Sequence, residues 1–140
     1  MTDAGPNPYV VDIEAATIDN TYFRDTLWTG TNLQMTVMAI EPGGEVGGEI
    51  HDDHDQFIRI EQGRARVVMG PAKDDYTLDQ EVTDDWAILI PAGSYHNVIN
   101  VGEEPLKLYS LYAPPEHTPG TRHITAQDAL EDPQETDLVG

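Results

Sequence analysis

The sequence predicts an all-β fold: a barrel or sandwich of short antiparallel strands, jelly-roll-like, with brief helical pieces at its ends. Three observations carry this. Apolar and polar residues alternate over short runs, Gly- and Pro-rich breakers separate those runs, and helix-start signals are confined to the chain's ends.

In chain order, TIDNTYFRDTLW is expected to hold a helical turn. Leu33, Met35 and Val37 then alternate with Gln34 and Thr36, as in a half-buried strand. After the breaker EPGGEVGG, Gln56, Ile58 and Ile60 alternate with Phe57, Arg59 and Glu61. Beyond Gly63, Ala65, Val67 and Met69 alternate with Arg64, Arg66 and Val68. Trp86 to Ile90 reads as a short buried strand that stops at Pro91, and Leu106 to Tyr112 as another. Thr125-Ala-Gln-Asp128 has the form of a capping box before Ala129 and Leu130, so a short C-terminal helix is expected there. The chain reads as a single domain over 1–140, with its barrel core at about 30–115 and an acidic tail at about 131–140.

Composition bounds the function. Twenty-six acidic against seven basic residues give a net charge of −19, which opposes nucleic acid and anionic lipid as partners. The acids are spread along the whole chain, which suits a solvated surface in a salt-rich cytoplasm, as in a halophilic protein. No run of about 18 apolar residues exists that could span a membrane. The N-terminus shows neither a basic nor an apolar leader region, so a cytoplasmic protein is expected. With no cysteine, any metal must be held by nitrogen and oxygen.

Two segments, EPGGEVGGEIHDDHDQFIRIEQG and DWAILIPAGSYHNVIN, stand out. Together they resemble the two motifs of the cupin superfamily. The first family motif runs Gly, five residues, His, one, His, three or four, Glu, six, Gly. Counting back from Gly63 places Gln56 at the family's Glu, His51 at its second His, Glu49 at its first His and Gly43 at its opening glycine. In the second motif Pro91, Gly93, His96 and Asn100 match at full spacing, while Asp85 stands where the family opens with glycine. The closest likeness is to small single-domain cupins with a Glu-x-His…Asp-Gln-Phe first motif.

The resemblance implies a metal at Glu49, His51, Gln56 and His96. Strand geometry is consistent with it, because residues two apart share a face. Glu49 and His51 therefore point the same way, as do Gln56, Ile58 and Ile60, with DDHD resetting the parity between them. His96 enters from a strand start after PAGSY. Two imidazoles, a carboxylate and an amide oxygen suit a divalent transition metal, with Fe or Mn favoured and Zn, Ni or Cu admissible. Gln56 is the poorer donor, which leaves it either a fourth ligand or a hydrogen-bonding neighbour of the metal. His54, flanked by Asp52, Asp53 and Asp55, is expected in a polar turn as a solvated or acid-paired residue, and His117 and His123 in PPEHTPGTRH at the surface. Arg59, Arg64 and Arg66 should face outward, pairing with acids across strands or meeting a second copy.

Two functions follow from the resemblance. One is a metal-dependent enzyme, dioxygenase-like or isomerase-like, acting on a small organic molecule. The alternative is a non-catalytic module that binds or senses a small ligand in the same cavity. A homodimer is implied as well.

Overall fold

The computed structural model describes residues 2–133, so the tail from residue 134 onward lies outside the described residues. Two antiparallel sheets face each other. The first has the order β10-β1-β2-β9-β4-β7 and the second β3-β8-β5-β6. The first is built from β1 (Arg24–Thr29), β2 (Gln34–Ile40), β4 (Asp55–Gln62), β7 (Ala87–Ile90), β9 (Leu106–Ala113) and β10 (Arg122–His123). The second holds β3 (Glu49–Ile50), β5 (Arg64–Gly70), β6 (Leu78–Thr83) and β8 (Tyr95–Asn100). Helices α1 (Ile13–Asp19) and α2 (Ala126–Glu131) flank the sheets. The capping box before α2 forms as expected: Thr125 accepts from the Asp128 N–H and Asp128 accepts from the Thr125 N–H.

The helical turn expected in TIDNTYFRDTLW lies upstream of Asn20, and after a link at 20–23 the residues from Arg24 to Trp28 belong to strand β1. Asp12 caps α1 by accepting from the Ala15 N–H, a start signal that precedes the stretch in sequence. Trp86–Ile90 is only half buried. Strand β7 lies at a sheet edge, where Ile88 and Ile90 turn inward while Trp86 and Leu89 face out. Arg64 and Arg66 pair with Glu81 and Asp79 on β6, and Arg59 pairs with Glu61 and Asp85, so all three face outward onto acids.

The inward face of β2 has the parity opposite to that expected from Leu33, Met35 and Val37. Gln34, Thr36, Met38 and Ile40 point in. The reason lies in the register. Gln34 stands opposite Tyr112, Thr36 opposite Ser110, Met38 opposite Leu108 and Ile40 opposite Leu106. On the other side of β9, Gln56 stands opposite Tyr112 and Ile60 opposite Leu108. The barrel interior is thus graded along its length. One end is packed with Met38, Ile40, Ile58, Ile60, Val98, Leu106 and Leu108. The other end collects Gln34, Gln56, Ser110 and Tyr112, all buried and all polar. Buried polar groups are tolerated only with partners, so the polar end is where chemistry is to be sought.

Candidate metal centre

The polar end is completed by β3 and β8, where Glu49 and His96 are direct cross-strand partners. Facing residues on one side of an antiparallel pair lie within side-chain reach, so this pairing delivers both groups to one point. His51 follows immediately. Its carbonyl accepts from the Gly93 N–H at 2.8 Å, which pins the PAG turn against it. One nitrogen of His51, Nε2, lies 2.6 Å from Glu49 Oε2, and His96 Nε2 lies 4.0 Å from the same oxygen. One ligand atom from each of Glu49, His51 and His96 falls within a 4.8 Å cluster. Gln56 is buried on β4, its amide N–H donating to Ser110 Oγ at 3.4 Å while its Oε1 has no partner among the described residues.

His54 does follow a bend and does pair with acids, but the structure corrects the expectation that it stays on the polar surface of a turn. It is 7% exposed, and its ring stacks on His51 with centroids 4.6 Å apart. An i, i+3 pair meets in a turn as well as in a helix, and Asp52 and Asp53 form the bend that folds the two rings together. His54 Nδ1 lies 2.8 Å from Asp53 and Nε2 2.5 Å from Glu116. Glu116 also approaches His51 Nδ1 at 3.5 Å, and His51, His54 and Glu116 form a second cluster of ligand atoms.

His117 and His123 are likewise buried, against the expectation of surface positions. Gln34 draws the first of them in: its Oε1 accepts from the N–H groups of Glu116 and His117, and its Nε2 donates to the His117 carbonyl. Nε2 of His117 then meets the Tyr112 hydroxyl at 3.2 Å. His123 sits on β10, paired with β1, and contacts Arg24 and Asp132. Glu116 carries no signal in the sequence, because it lies in a Pro-rich connection and is placed by a clamp 82 residues away.

Electrostatics follow the geometry. Burial pushes Glu49 upward, but His51, Arg24 and His96 more than offset this and hold it below the ordinary carboxylate value. Burial pushes His51 down, and Glu49, aided by Glu116 and Asp53, reverses the sign and leaves it raised. His96 is lowered, chiefly by burial, with Glu49 only partly opposing. Burial also keeps the Tyr112 phenol protonated well above its usual range.

These residues fit a divalent cation. Both nitrogens of His96 and Oε1 of Gln56 are buried without hydrogen-bond partners among the described residues. The carboxylates of Glu49 and Glu116 stand 2.6 Å and 2.5 Å from Nε2 of His51 and of His54, so oxygen and nitrogen donors gather at one place. Nitrogen and carboxylate donors in this proportion suit first-row metals.

The family model for the cupin domain matches residues 36–112. Uncharacterized protein YrkC of Bacillus subtilis (strain 168) is 53% identical over 130 residues, covering 93% of this chain and 70% of that protein. Uncharacterized protein L612 of Acanthamoeba polyphaga mimivirus is 39% identical over 113 residues, 80% of this chain and 69% of that protein. The crystal structure of BH2720 from Bacillus halodurans superposes with a TM-score of 0.91 at 54% identity, over 93% of this chain and 98% of that one. By family match and by fold alike, the chain belongs to the cupin domain family.

Proposed function

We propose that the barrel holds one divalent transition metal, Fe or Mn, at Glu49, His51 and His96, and that the protein is a metal-dependent enzyme acting on a small organic molecule. One observation carries this reading: His96 is 0% exposed and neither ring nitrogen has a hydrogen-bond partner among the described residues. Each unmatched buried polar atom costs about 1–3 kcal/mol, so an imidazole left this way needs a ligand to justify it. Charge supports a single ion. Glu49 and Glu116 are the two carboxylates of the cluster, and with neutral imidazoles one divalent cation balances them.

When bound, the metal would supply a Lewis acid with open positions for oxygen-dependent or isomerase-type chemistry. The chain's own residues do the rest. With Nε2 of His51 turned to the metal, the N–H on Nδ1 faces Glu116, which fixes tautomer and ring orientation. Gln56 offers an amide oxygen to the metal or to a bound molecule. Tyr112, kept neutral, holds a proton at its hydroxyl beside His117 Nε2.

Metal analysis of protein purified without added metal, together with oxygen uptake over candidate substrates, tests this. About one equivalent per chain is expected in the wild type, falling to less than about a tenth in His96→Ala. A wild type with less than about a tenth of an equivalent, even after reconstitution, overturns the metal. Stoichiometric metal without turnover on any substrate would favour the sensing module instead.

A further inference from the structure

A groove of about 610 Å³ opens beside the cluster, between β1, the segment 44–49 and α2, with Glu49 in its wall. Phe23, Val46, Ala129 and Leu130 make the lining largely apolar. Arg24 lines it too, and that residue is out of character for such a place. It is 3% exposed, and its Nε has no hydrogen-bond partner among the described residues. A buried guanidinium is costly unless its fork is met by an acceptor. What contacts it has serve to aim it. Its Nη1 donates to Nδ1 of His123 at 3.1 Å, so the other ring nitrogen of His123 carries the proton and faces Asp132 at 3.0 Å. The guanidinium also lies 5.3 Å from the centroid of the Phe23 ring. In a chain with 26 acidic side chains, no carboxylate among the described residues forms an ion pair with Arg24. Glu49, in the same groove wall, feels the charge of Arg24, which helps to hold its carboxyl low.

We propose that this groove binds a small organic carboxylate with an apolar body. Its anion takes the unmet side of the Arg24 guanidinium, and its chain lies against Phe23, Ala129 and Leu130. Guanidinium and carboxylate match in shape as well as charge, which makes arginine the fitting reader of such a group. Two carboxylates line the groove, Glu45 and Glu49, and a cation bound at Glu49 neutralises one of them, so anion and metal should each strengthen the other's binding. As a statement about the substrate of the metal centre, the inference rests on the proposed function; as a binding site for an anion it stands alone.

Calorimetric titration of the full chain with hexanoate and with its neutral isostere hexanamide tests it. Both chelator-stripped protein and protein loaded with Mn(II) are titrated. Hexanoate should bind at least about tenfold more tightly than hexanamide, because the isostere leaves the guanidinium without its charged partner. Arg24→Gln should remove that difference. Ala126→Trp, on the exposed side of α2 where it meets the groove, should weaken both ligands alike while leaving the fold intact, so the result does not depend on the Arg24 variant folding. The inference is overturned if wild type binds neither ligand, if it binds both equally, or if Arg24→Gln keeps hexanoate affinity in the Mn(II) form. That last outcome would place the carboxylate on the metal itself. Arg24-dependent binding that Mn(II) leaves unchanged would support the groove and count against a metal at Glu49.

Discussion

His51 is held between two carboxylates, with Glu49 at one ring nitrogen and Glu116 at the other. That position decides how it behaves when no metal is bound. Its folded pKa lies above the ordinary imidazole value, so its ion pairing stabilises the native state fully below about pH 6.5 and is lost as pH rises through the raised value. Chelator-treated His51→Ala should therefore lose more stability at about pH 6 than at about pH 9, read from urea midpoints. Equal losses at both would mean that packing, not charge, accounts for the residue. His96 has the opposite sign: lowered in the fold, it stays neutral, and the unfolded chain gains protons over it as pH falls below about 6.5. At this scale the motif spacing made Glu49, His51, Gln56 and His96 legible, since each sits at a fixed interval from a turn glycine or proline. His54 and Glu116 were not legible. Whether a histidine in DDHD faces inward depends on a bend whose partners lie far along the chain.

Strands β4 and β5 belong to different sheets, yet Gly63 alone joins them. Its φ of 105° is a left-handed conformation that costs little only for glycine, and a Cβ there would sit 3.3 Å from Leu106. Gly63→Ala should destabilise by about 1–2 kcal/mol in urea unfolding, without altering metal stoichiometry. A neutral substitution would show that the link relaxes at no cost. The strand pairs flanking this turn were legible because alternation and breakers coincide there. Strand β2 misled, since Leu33, Met35 and Val37 look like the core face while Gln34 and Thr36 are the inward residues. A strand that enters a functional cavity carries polar residues on its inner face, and alternation then points the wrong way. Strand β6 was missed because LDQEVT has one inward apolar residue, Val82, and is otherwise exposed.

For the whole molecule, repulsion outweighs attraction at the surface. Against an excess of 26 − 7 = 19 negative charges stand a few exposed pairs, such as Arg66 with Asp79 and Arg64 with Glu81. Exposed pairs contribute about 0–1 kcal/mol each, and salt weakens them. Salt also weakens the mutual repulsion of the excess acids, as the screening length falls from about 10 Å at 0.1 M to about 3 Å at 1 M. Molar KCl should therefore raise the urea midpoint; no gain over low salt would show that the acids are placed without mutual strain. The two-sheet architecture was readable from the pattern of runs and breakers. The closure of its mouth was not, because it depends on side-chain to backbone bonds between residues more than 80 apart.

Gln34 contributes no atom to the ligand clusters, yet its single amide plane joins Thr29 on one side to the 116–117 backbone on the other. Each residue ordered in that connection costs about 1–2 kcal/mol of backbone entropy, while a hydrogen bond returns about 1 kcal/mol. Glu116 and His117 are held further by His54 and Tyr112, so losing the Gln34 bonds should loosen this connection before it loosens the strands. Position 34 therefore governs a waiting time: how often the mouth on that side lets a molecule past, as distinct from how tightly the interior holds it.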